Sequence, residues 1–141
     1  MNKTKISAHI SYDEATVSPT ALRLGIKNEP NEAELSAMRL VAELCFEKAR
    51  SVFGPIKINS FFRSKELNKA IGGSTTSHHC LGCAIDMTLG SRSKNKELFT
   101  WCKDNLEFTQ LIHEYGDNTG PDWVHISYVP ADLKKQVLYI K

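Results

Sequence analysis

Ser77 to Asp86, SHHCLGCAID, crowds two histidines, two cysteines and an aspartate around Gly82. No other stretch limits the fold so tightly. Ligating groups at this density need partners, and each choice of partner dictates a different architecture. A redox dithiol on Cys80 and Cys83 asks for a helix N-terminus to lower the thiol pKa, yet the residues after Cys83, AIDM, read as a strand. A structural zinc site on the same pair asks for a second close pair of ligands. Cys45 and Cys102 are far apart and sit in helical patterns, where they read as small buried hydrophobes. A catalytic metal site asks for three protein ligands and one open position. His79 and Asp86 offer two. His125, in DWVHIS, offers a third if its strand lies beside that of Asp86. Taken alone, His79 is better read as an ordinary hydrogen-bonded histidine; the spacing together with His125 favours the metal.

Hydrolysis at such a site needs a base and an oxyanion partner. Asp122, three residues before His125, is the candidate base. Strand alternation would put it on the face opposite His125, so it must occupy an irregular turn after Pro121 to serve. Arg63, closing INSFFRS, is the candidate cation because a guanidinium stays charged at working pH.

The rest of the chain frames these residues. Ser11 and Ser18-Pro19 are two helix-start signals, and two short helices ending at Gly25 follow. KNEPN is a turn and Asn31 a cap. Leu35, Met38, Leu40, Val41, Leu44, Cys45 and Ala49 then recur at helical spacing up to about Phe53. IKINSFFRS reads as a strand with Ile56, Ile58 and Ser60 on one face. A short helix follows Ser64, and Cys83–Leu89 is a strand with Ala84 and Asp86 on one side and Ile85 and Met87 on the other. A helix over Ser93–Leu106, strands over Phe108–His113 and Trp123–Tyr128, a helical turn over Ala131–Gln136 and a sheet edge at VLYI complete the pattern. Without a regular βαβ rhythm, this is α+β with a small, mainly antiparallel sheet packed with helices.

Size suits one domain, residues 1–141, large enough for a core without disulfides. A formal charge of +2 is too small to argue for nucleic acid. No apolar run is long enough for a membrane span, and MNKTKISAHISYDEA lacks the apolar region of a secretory signal. The expectation is a monomer made in the cytoplasm, with no nucleic-acid partner and no membrane insertion.

Ser77-x-His79-x-x-Gly82-x-Ala84-x-Asp86 resembles the SxHxxGxAxD signature of zinc D-alanyl-D-alanine peptidases, a group that includes carboxypeptidases, dipeptidases and L-alanyl-D-glutamate endopeptidases, many of them phage-encoded. Asp122-Trp-Val-His125 resembles the second signature, and Arg63 the upstream arginine. SYDEATVSPTALRLGI and FTQLIHEYG extend the resemblance over nearly the whole chain. It implies the small α+β fold shared with the hedgehog signalling domain, one zinc ion on His79, Asp86 and His125, Asp122 as general base, and Arg63 on the oxyanion or substrate. Ser77 would orient substrate or support His79. The implied substrate is the peptidoglycan stem peptide, met at the cell wall after phage-mediated release or from within a virion. The alternative is a zinc-containing virion or wall-binding module without catalysis. Four positions stand out against the pattern: His78 stands where glutamine is expected, Cys80 and Cys83 lie close to the site, and the base, Asp122, is Asp rather than Glu. His113 reads as a core or edge histidine, and Glu114 as no more than a support to the ligands.

Overall fold

A computed structural model describes residues 5–141; residues 1–4, the start of the stretch read for a leader, lie outside it. The chain opens on a small hairpin, β1 (Lys5–Ser7) and β2 (Ile10–Ser11). The serine signals then act as expected. Ser11 caps α1 (Tyr12–Thr16) by accepting from the Glu14 N–H, and Ser18 caps α2 (Pro19–Leu24) by accepting from the Ala21 N–H. Each cap satisfies a donor that has no partner within its own helix. Gly25 ends α2 at φ 66, a left-handed turn that glycine adopts without steric cost.

Asn31 forms a full capping box with Glu34 at the start of α3 (Glu32–Val41). A π-helical turn, Ala42–Phe46, then joins α3 to α4 (Glu47–Phe53). One continuous apolar stripe runs through all three, with Leu35, Met38, Val41, Ala42, Cys45, Phe46 and Ala49 buried. At about 1.5–3 kcal/mol for each large side chain removed from water, this stripe anchors the core.

The main sheet has five strands in the order β3-β4-β6-β5-β7. They are β3 (Lys57–Ser60), β4 (Ala84–Thr88), β5 (Gln110–Glu114), β6 (Trp123–Ser127) and β7 (Gln136–Ile140). All pairings are antiparallel except β5 with β7, which is parallel. Period-two alternation splits the sheet into two faces. Ile85, Met87, Leu111, Val124 and Ile126 enter the core, together with Leu98, Phe99 and Cys102 of α6 (Arg92–Asn105). The other face carries Asp86, Ile112, Glu114, Trp123 and His125, which line a cleft. The fold is α+β with a mainly antiparallel sheet, as the sequence pattern predicts.

One element differs. Residues 131–136 form no helix. The N–H groups of Lys135 and Gln136 bond to the carbonyls of Phe108 and Thr109, at 3.0 Å each, and draw the segment onto the sheet edge. Lys135 takes φ 52 to make that turn. Long-range pairing overrides local helix preference here. Among the described residues, no helix is long and apolar enough to cross a membrane.

Candidate metal centre

The topology meets the demand set by the motif. β4 and β6 are neighbours, and Asp86 lies directly opposite His125 in their register. His79 arrives from the turn before β4. Ser77 caps this 3-10 turn (His78–Leu81) by accepting from the His79 N–H at 3.2 Å. Gly82 closes it at φ 77, and a Cβ there would lie 2.5 Å from the Glu34 carbonyl oxygen, so only glycine seats the turn against α3. α5 (Lys65–Ala70), capped by Ser64, follows the segment that carries Arg63.

His79, Asp86 and His125 each offer one ligand atom, and the three atoms all lie within 4.8 Å of one another. The proton positions are set by neighbours. His79 Nδ1 is 2.6 Å from the Phe61 carbonyl oxygen, which can only accept, so Nδ1 carries the hydrogen and donates it. In the neutral imidazole Nε2 is then a bare lone pair. It is buried and makes no hydrogen bond, although Asp86 Oδ1 lies 3.2 Å away. Two acceptors at that distance repel, and a cation between them removes the conflict. His125 Nδ1 meets the same Asp86 oxygen at 2.9 Å, and the two imidazoles stand edge to face with centroids 5.1 Å apart. Burial pushes the Asp86 carboxyl up, but the hydrogen bond from the facing His125 imidazole outweighs it and holds the group below the usual carboxylate range. A site of two imidazoles and one carboxylate suits a divalent transition metal with an open position, and the carbonyl behind His79 is the outer support that orients such a ligand.

The cleft around this cluster has a volume of about 690 Å³ and is lined by Arg63, Ser77, His78, Glu114 and Trp123 beside the three ligand residues. Among the described residues, three buried side-chain polar atoms lack a hydrogen-bond partner: Arg63 Nε, His79 Nε2 and Trp123 Nε1. All three belong to residues lining this one cleft. Unpartnered buried donors and acceptors are rare in folded proteins, so their convergence marks a place built for something to bind. Arg63 is steadied by Nη1 donating to Asn68 Oδ1 at 3.1 Å. Gly73 allows that approach, since a Cβ there would lie 2.1 Å from Asn68 Oδ1 and 3.0 Å from Arg63 Nη1. Asn28, read from sequence only as part of a turn, fixes the same segment. Its amide donates to the carbonyls of Thr16 and Phe62 and its oxygen accepts from the Ser64 N–H.

Asp122 is placed elsewhere. Its Oδ1 accepts from Arg92 Nε at 2.9 Å, and it lines a different cleft with Asp117 and His113. The irregular turn that would have aimed it at His125 does not do so: the side chain stays on the α6 side, where strand alternation puts it. Glu114 does line the metal cleft. Burial first, then the Asp86 charge, push its carboxyl up, while His125 and Arg63 pull it back. Its signal was alternation on β5, which becomes informative only once the register with β6 is known.

The cysteines stay out of the cluster. All four are free and buried, and burial raises the thiol pKa of Cys80 and Cys83, which keeps the reactive thiolate scarce. Cys80 lies in the 3-10 turn and Cys83 immediately before β4, so neither has the helix N-terminus a redox pair asks for. His78 lines the cleft but is not one of the three converging residues.

Residues 8–127 match the family model described as Peptidase M15. A comparison with curated proteins gives no match.

Proposed function

Because the chain belongs to the peptidase M15 family, we propose that it is a zinc peptidase that hydrolyses peptide bonds of peptidoglycan stem peptides, as a D-Ala-D-Ala carboxypeptidase or an endolysin-type endopeptidase. The observation that carries this reading is the convergence of a three-ligand cluster with unpartnered polar atoms in one open cleft. One zinc ion on His79, Asp86 and His125 would act as a Lewis acid on the scissile carbonyl and bring the pKa of a water to about 7.

The chain's own groups do the rest. Arg63 keeps its charge at any working pH and stabilises the developing oxyanion with donors already in place. Its buried Nε and the Trp123 Nε1 each hold a hydrogen without an acceptor, and a substrate carbonyl or carboxylate entering the cleft supplies one. Ser77 holds the turn that presents His79. The Phe61 carbonyl keeps the His79 proton on Nδ1, so that Nε2 is free for the metal.

Metal analysis of purified protein should find about one zinc per chain. Mass spectrometry of stem-peptide fragments after digestion, with a chelator control, identifies the bond cut. Zinc bound without any cleavage of stem peptides would favour a non-catalytic wall-binding or virion module instead.

A further inference from the structure

We propose that Glu114, rather than Asp122, is the catalytic residue that takes the proton from the attacking water; this rests on the peptidase reading above.

A general base must stand within reach of the water in the cleft, whatever its place in the sequence. The register of β5 with β6 sets Ile112 opposite His125 and Glu114 opposite Trp123. Glu114 is therefore the diagonal neighbour of His125 on the cleft face, a separation of about 7–8 Å between backbone positions. A glutamate side chain together with one water spans that gap. Glu114 lines the same cleft as all three ligand residues. No hydrogen bond or ion pair ties its carboxylate to another described side chain, so it is available to a water. Asp122 fails on each count. Its carboxylate is held by Arg92 at 2.9 Å and lines the other cleft. The two acids are linked only through the backbone, where the Asp122 N–H donates to the Glu114 carbonyl at 2.9 Å.

As general base, Glu114 must hold the proton between two steps. In the first, a water O–H proton passes to Glu114 as the water oxygen bonds to the scissile carbonyl carbon. In the second, the carbon–nitrogen bond breaks and the proton moves from Glu114 to the leaving nitrogen. One water is consumed, one acid and one amine are released, and Glu114 returns as a carboxylate.

The full chain loaded with zinc tests this with Glu114→Gln, Glu114→Asp and Asp122→Asn, reading kcat and KM on a stem peptide and the zinc dissociation constant by chelator competition. Glu114→Gln should lower kcat by about 10²–10⁴-fold while KM and zinc affinity stay within about threefold. Glu114→Asp, shorter by one methylene, should bind zinc normally and lose less. Asp122→Asn should keep both turnover and zinc. Turnover lost in Asp122→Asn but kept in Glu114→Gln overturns the assignment alone. A zinc affinity weakened more than about tenfold in Glu114→Gln also overturns it, because Glu114 would then be a ligand. A wild-type chain that binds zinc and cleaves no stem peptide overturns the peptidase reading itself, and this assignment with it.

Discussion

Two clefts flank β5, and they are nearly equal in size, about 690 Å³ on the Glu114 side and about 670 Å³ on the His113 side. Adjacent residues of one strand serve them, because alternation sends Glu114 one way and His113 the other. Volume does not distinguish them; the state of their polar groups does. On the His113 side several polar side chains pair with one another, and among the described residues no buried side-chain polar atom is left unpartnered. Arg92 bridges Asp117 and Asp122 at 3.1 and 2.9 Å, Lys96 donates to the Asn118 carbonyl, and His113 packs against Phe99 and Tyr139 with centroids 5.5 and 5.1 Å apart. On the Glu114 side three buried polar atoms go unmatched beside a three-ligand cluster. A cavity whose walls satisfy one another has little left to offer a ligand, whereas one that leaves its polar atoms open is prepared for chemistry.

Histidines from the two sides give the largest contrast. His125→Ala should abolish zinc binding and hydrolysis together, a loss greater than the roughly 10–100-fold that follows removal of a ligand's outer partner. His113→Gln should leave zinc content and turnover per folded molecule as they were. Metal analysis beside a stem-peptide assay reads both, and equal losses in the two variants would erase the distinction.

Cations come next. Arg63→Ala should lower kcat by about 10²–10³-fold, as expected when an oxyanion donor is removed. Lys96→Ala, across the sheet, should not change kcat. Gly73→Ala should act in the same direction as Arg63→Ala but less strongly, because its methyl would crowd the Asn68–Arg63 pair without removing the charge.

Asn95 tests what holds the clefts in place. It is buried on α6 and accepts from the Leu89 N–H. It donates to Thr88 Oγ1 and to the carbonyls of Pro121 and Asp122. It therefore ties the end of β4 to the start of β6, the two strands that present Asp86 and His125. Asn95→Ala leaves several buried groups unpaired and should reduce stability by about 1–3 kcal/mol in denaturant unfolding. Zinc content of the folded fraction should persist.

Local physics made much of this legible in the sequence. Ser11, Ser18, Asn31 and Ser64 all act as caps, since a side-chain oxygen followed by helix formers is a short-range signal. His79, Asp86 and His125 converge because a neighbouring-strand pairing was already required by their chemistry. Asp122 was harder to place. Spacing from His125 measures distance along the chain, while the face a side chain takes also depends on Arg92, contributed by a remote helix. Glu114 reads from sequence only as a support to the ligands for the same reason: the register of β5, which sets its face beside His125, is not written locally. Residues 131–136 carried a helical pattern that pairing with β5 overrode, and the hairpin of β1 and β2 was too short to leave a periodic trace.

The smallest expected effect concerns the stability of the metal-free protein, and its sign is specific. Burial and the Asp86 charge raise the Glu114 carboxyl above its unfolded value. A raised carboxylate pKa means that the folded state resists the charged form, so Glu114 detracts from stability once it ionises, and this is relieved as pH falls through its folded pKa. Glu114→Gln should therefore make the metal-free protein slightly more stable at neutral pH, by about 1–3 °C in thermal melting for a domain of this size, after discounting for its partial exposure. The gain should shrink as pH falls through the carboxylate range. Asp86 has the opposite shift: its folded pKa is depressed, so its contribution is present above the unfolded carboxylate value and lost as pH falls. Asp86→Asn should accordingly flatten the acid limb of the stability curve. If the two variants moved that limb in the same direction, the two carboxyls would not sit in the opposed environments that the cleft assigns them.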